Sequence, residues 1–174
     1  MRSVRENDSK ITFPLEHEAF SDVGCERSIH MPAREICIHL EDLSPKWREK
    51  AVKMLEEPKF GQCDYAVRHF CMFSDNTEIA TVSFETIIYS DQEAAAKVFL
   101  GTLNKMSFLQ VTKLKLGDAS ALIEAPGHPS KRMRTLIFMK QNVMGLIMLS
   151  NFFDHDLPHS WLIDMGHLMT SRVI

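Results

Sequence analysis

The stretch Arg132-Met-Arg-Thr-Leu-Ile-Phe-Met-Lys-Gln-Asn-Val-Met-Gly-Leu-Ile-Met-Leu-Ser150 (RMRTLIFMKQNVMGLIMLS) decides the fold class. It reads as two strands, Arg132 to Met139 and Val143 to Ser150, joined by a tight turn at Lys140-Gln-Asn142. Asn142 is the expected left-handed residue of that turn, with Gln141 a poorer choice than Gly. In the second strand Val143, Ile147 and Leu149 face one way and Met144, Leu146 and Met148 the other. Both faces are apolar, so this strand belongs inside a sheet covered on both sides. The polar break at Lys140-Asn142 leaves at most about eight apolar residues on either side, against roughly twenty for a membrane-spanning helix. No transmembrane segment is expected.

Working outward, Asp64 to Ile88 reads as a hairpin turning at Ser74-Asp-Asn-Thr77. Its second strand places Ala80, Val82, Phe84 and Ile88 on one face, with Thr81, Ser83 and Glu85 on the other. Ser90-Asp-Gln-Glu93 has the form of a capping box opening a helix to about Met106, with Ala95, Val98, Phe99, Leu103 and Met106 as its apolar stripe. Strands follow at Leu109 to Leu116 and Ala119 to Ala125, with a turn at Gly117-Asp118 and a loop at Pro126-Gly-His-Pro-Ser130. Ser44-Pro45 reads as the N-cap and first position of another helix, with Trp47, Ala51, Met54 and Leu55 at helical spacing and Pro58 and Gly61 ending it. Glu35 to Leu40 is short enough for a strand or one helical turn. A final helix is expected from Asp156, as its cap, to about Arg172, with Leu157, Trp161, Met165 and Leu168 on one face. The sum is α+β: an antiparallel sheet of about five to six strands with helices packed on it. Residues 1–34 are expected to be an irregular N-terminal segment and 35–174 a single α+β domain.

Composition narrows the function. The 174 residues are 45% apolar and 25% charged, which is globular rather than disordered. A net charge of −3 without a basic block excludes a nucleic-acid or anionic-membrane footprint. The cysteines at 25, 37, 63 and 71 form no C-x-x-C pair. Their even number permits one or two disulfides in an exported protein and four thiols in a cytosolic one. The N-terminus MRSVRENDSKITFPLEHEAF has no apolar core of the kind a signal peptide requires.

The segments FGQCDYAVRHFCMF, TVSFETIIYSDQEAAAKVF, LGDASALIE and RTLIFMKQNVMGLIML together resemble bacterial and archaeal extracytoplasmic sensor-domain-like lipoproteins. These are similar to the outer domain of mycobacterial PknH-type kinases, with a PsbP/Mog1-like fold. The resemblance covers about residues 60–174. It implies a ligand- or partner-binding domain outside the cytoplasm, with no shared catalytic residues and no cofactor. The chain departs from that pattern at Gln141, where Gly is usual, and at Ser44-Pro-Lys-Trp47, where the family often has a DLP-x-GW run leading into a strand.

Candidate sites follow from residue chemistry. Met133, Phe138, Met139, Met144, Met148 and Met165 are an adaptable apolar set that could border a cleft for a small apolar ligand or a protein partner, against the plainer reading of a closed core. The same apolar face completed by a second copy would make a homodimer. Asp154, His155 and His159, with Asp156, Asp164 and His167 nearby, carry zinc- or copper-ligand chemistry and define the alternative, a metal-dependent enzyme. The plainer reading is an acidic helix start with solvent-facing histidines. Cys71 and His69 share a strand face, but no oxyanion-hole signature accompanies them. Arg132 and Arg134 also share a face, which suits an anion or an ordinary charged surface.

Overall fold

The computed structural model describes residues 31–54, 61–106, 110–125 and 130–174. The expected irregular segment before residue 31, Cys25, the helix end at Pro58 and most of the 126–130 loop lie outside them. The elements in chain order are α1 (Ala33–Ile36), β1 (Trp47–Met54), β2 (Gln62–Ser74), β3 (Thr77–Tyr89), α2 (Gln92–Lys105), β4 (Gln110–Lys113), β5 (Ala119–Ala125), β6 (Lys131–Lys140), β7 (Val143–Phe152) and α3 (His159–Ser171). Short 3-10 turns at Leu40–Asp42 and Phe153–His155 punctuate the chain.

The strands form one seven-stranded sheet in the order β1-β2-β3-β7-β6-β5-β4, every described pairing antiparallel. Two meanders, β1-β2-β3 and β4-β5-β6-β7, therefore meet at β3–β7. The sheet is α+β as expected, with seven strands where five to six were expected. The additional one is β1, read from sequence as a helix. Ser44-Pro45 makes a turn closed by the Trp47 amide on the Ser44 carbonyl at 3.0 Å, and the chain leaves it extended. Trp47 is buried and stacks on Trp161 of α3, ring centroids 5.5 Å apart and planes 15° from parallel. A bulge between Glu49 and Ala51 breaks the strand's alternation, which is why its apolar residues counted as helically spaced.

β7 is interior, as its two apolar faces require. On one side Phe70, Val82, Phe84, Leu136, Phe138, Ile147 and Leu149 pack under α3 with Leu162 and Met169. On the other, Ile87, Tyr89, Ile137, Met139 and Met144 pack under α2 with Ala95, Phe99 and Met106. Burying Phe99 alone contributes about 2–3 kcal/mol. Two glycines permit the close approaches. A Cβ on Gly145 would enter the ring of its cross-strand partner Phe138, and one on Gly166 would meet Leu116 and Leu136 at 2.6 and 2.7 Å. At the chain's C-terminal end Lys140 Nζ donates to the Thr170 and Val173 carbonyls, closing the end of α3.

Three local expectations shift. The cap of α2 is Asp91, whose carboxylate accepts from the Ala94 amide at 2.8 Å, while Ser90 donates to Asp91. Helix α3 starts at His159 rather than Asp156, because Leu157-Pro158 is extended and the Asp156 carboxylate is engaged by arginines. In the β6–β7 turn Gln141, not Asn142, has the left-handed φ of 54°. Asp118 accepts from the Gln141 amide at 2.6 Å, and Asn142 is buried with its Nδ2 donating to the Tyr89 carbonyl at 2.7 Å. The β2–β3 turn at Asp75-Asn76 has positive φ at both residues, the pattern of a type I′ turn.

Candidate binding surface on the uncovered half of the sheet

The two sheet faces are covered unequally. Among the described residues α2 is the one helix on its face, and it lies over the Ile87, Met144 and Met139 end. Beyond it two cross-strand rows continue without a described helix above them. One runs His69, Ser83, Met148, Thr135, and the next Cys71, Thr81, Ser150, Met133. These side chains are half-buried except Cys71, which is buried. The row bordering α2 carries Val67, Glu85 and Leu146. At the far end a hollow of about 370 Å³ is lined by Thr77, Ser130, Phe152, Phe153, Asp154 and His155.

Polar groups concentrate on β2 and β3. His69 Nδ1 lies 2.6 Å from Ser83 Oγ. Burial, with the charges of Lys53 and Lys50, holds the His69 imidazole below its ordinary pKa, so it is neutral near pH 7. Burial raises the Glu85 carboxyl above its ordinary range, partly opposed by the Tyr65 hydroxyl within hydrogen-bonding reach. The Tyr65 phenol is pushed up in turn by burial and by Glu85. No ion pair to Glu85 is found among the described residues. The surface thus offers neutral hydrogen-bonding groups, one acid and a methionine- and leucine-lined neighbourhood.

The crystal structure of the extracellular domain of PknH from Mycobacterium tuberculosis superimposes on this chain with a TM-score of 0.60, covering 87% of this chain and 97% of that one at 6% identity. The fold is sensor-domain-like. At that identity the likeness is one of fold alone. No family model matches the sequence, and no curated protein matches it.

Within this sensor-domain-like fold the apolar candidates are divided. Met133 and Met148 are half-buried on the uncovered half. Met139 and Met144 are cross-strand partners buried under α2. Phe138 is fully buried on the opposite face, where Met165 of α3 packs against the same core. The six do not line one cleft. Asp154 and His155 border the hollow, whereas His159 Nε2 lies 2.6 Å from Glu124 Oε1, and Asp164 and His167 are exposed. Among the described residues no three His, Cys, Asp or Glu side chains converge on a point suited to a metal. Cys71 Sγ points at the Arg48 carbonyl, 3.7 Å away.

Arg134 departs furthest from the surface charge expected of it. Its side chain is fully buried, and Nη2 donates to Asp156 Oδ1 at 2.8 Å and Asn151 Oδ1 at 3.0 Å. Sequence reasoning overlooked Tyr65, Glu85 and Ser83 as site residues. The alternation in β3 placed Ser83 and Glu85 on the face away from the Phe84 core. Only the pairing of β2 with β3 brings His69 and Tyr65 to them.

Proposed function

We propose that this chain is a non-enzymatic, sensor-like binding domain that works outside the cytoplasm and takes small amphipathic ligands on the uncovered half of its sheet. The observation that carries the reading is the pair of half-buried rows beyond α2, where Met133 and Met148 alternate with Ser83, Thr135, Thr81 and Ser150. A sheet face of this kind is normally covered or solvated by charge, and the described residues do neither here. The sensor-domain-like fold supports it, and so does Cys63, which is disulfide-bonded to a partner outside the described residues. A lipoprotein-type tether would suit such a domain.

The test is an amide chemical-shift screen of the labelled protein against a library of small amphiphiles. Shifts gathered on Thr81, Ser83, Thr135 and Met148 sustain the reading. Saturable shifts gathered on the α3 face instead would end it.

A further inference from the structure

Glu85 is the unexpected residue of that surface. A β-branched or apolar side chain would suit its row, since its neighbours across β2 and β7 are Val67, 4% exposed, and Leu146. A carboxyl in such surroundings loses hydration, and the loss is offset only by a cation or by hydrogen bonds. The described structure supplies one hydrogen-bonding group, Tyr65, and no cation. Two basic groups of the neighbouring strands pair with other acids, Lys50 with Glu78 at 3.3 Å and Arg68 with Glu49 at 3.1 Å, and no described Lys or Arg pairs with Glu85. Among the described residues Glu85 therefore presents an acid without a counter-ion, with Leu146, Met148 and Met133 spreading across β7 and β6 beside it.

We infer that Glu85 anchors amphipathic amines, its carboxylate pairing with a primary ammonium while an apolar tail lies over Leu146, Met148 and Met133. The inference rests on the reading of the uncovered half as a binding surface, and it names the ligand class. Charge complementarity supports a cation rather than an anion at this point, and the apolar neighbours support a tail over a bare ion. In the complex Tyr65, beside Glu85, donates its hydroxyl hydrogen to one carboxylate oxygen and the ammonium takes the other.

Three probes of one tail length separate the contributions: n-octylammonium, n-octanol and octanoate, each titrated into the labelled full chain and followed by amide shifts. Octylammonium should bind roughly tenfold tighter than octanol, with octanoate weaker than both, the charge-assisted bond supplying the difference. Its shifts should centre on Glu85, Tyr65, Leu146 and Met148. Glu85→Gln, whose amide spectrum reports that it folds, should bring octylammonium down to octanol. Equal binding of octylammonium and octanol to the unsubstituted protein overturns the ammonium assignment and leaves the surface reading standing. So does a preference for octanoate. Selectivity that survives Glu85→Gln overturns the assignment to this residue. Shifts from all three probes lying away from this face overturn the surface reading itself.

Discussion

Asp156 holds Arg134 and Arg132 at once: its Oδ1 accepts from Arg134 Nη2 at 2.8 Å and its Oδ2 from Arg132 Nη1 at 2.5 Å. The Arg134 guanidinium has no exposure, whereas Asp156 is 38% exposed on the segment before α3. A buried charge depends on its partner more than an exposed one does. Asp156→Ala should therefore destabilise by about 2 kcal/mol, below the 3–5 kcal/mol typical of a fully buried pair because Asp156 is still partly hydrated. Arg134→Met should cost less, since it removes the buried charge instead of orphaning it. Urea denaturation midpoints of the two variants check the order.

Glu85 gives a pH dependence of definite sign. Its carboxyl is raised by burial above the ordinary value of 4.5. Below that value folded and unfolded chains both hold the proton, and no penalty exists. As pH rises from there through the folded pKa, the unfolded chain releases its proton first and stability falls. Glu85→Gln should abolish this part of the decline and match or exceed the parent protein at pH 7. Melting temperatures of both across pH 4 to 8 provide the comparison.

Gln141 occupies a left-handed conformation that L side chains adopt at a cost. Gln141→Gly relieves about 1 kcal/mol of that strain and loses part of it to unfolded-chain entropy, for a net gain of about 0.5 kcal/mol. The amide bond to Asp118 is kept, because it uses the backbone N–H. Asp118→Ala should be destabilising and should narrow the gain. A double-substitution cycle measures the coupling.

The stacked pair Trp47–Trp161 ties the outermost strand β1 to α3 across the sheet face. Trp47→Ala removes a side chain that is 4% exposed, and about 3–4 kcal/mol should be lost. Hydrogen exchange should show β1 amides opening before those of β3 and β7.

The cysteines predict a reactivity pattern. Cys37 and Cys71 are buried free thiols, and Cys63 is disulfide-bonded. Burial pushes the Cys37 thiol up to about 11, so its alkylation at pH 8 should run about 100-fold or more slower than that of an exposed thiol. Mass spectrometry should find both thiols unmodified in the native protein and modified after denaturation without reductant. Cys63 should react only after reduction.

Much of the sheet was legible in residue order. Period-two alternation located β3, two apolar runs joined at the polar Lys140-Gln-Asn142 turn located β6 and β7, and the apolar stripe of Ala95, Phe99 and Met106 located α2, because the side chains of one element must share a face to be buried together. The reading failed at β1, where a bulge broke the alternation, and at Asp156, where a good capping residue had a stronger use. Arg134 looked like surface charge because its partners, buried Asn151 and partly exposed Asp156, stand 17 and 22 residues away.

The candidate surface was legible only in part. Alternation alone separated Ser83 and Glu85 from the Phe84 core, and it placed Met148 opposite Leu149. It could not show that β2 lays His69 and Tyr65 beside them, or that α2 stops short of the Ser83 and Thr135 rows. Local sequence determined which elements form and which way each side chain faces, since steric period and burial act within a few residues. Tertiary structure decided which strands pair, which carboxylate meets which arginine, and which half of the sheet α2 covers. Those outcomes depend on contacts between residues far apart in the chain, whose pairing no single segment encodes.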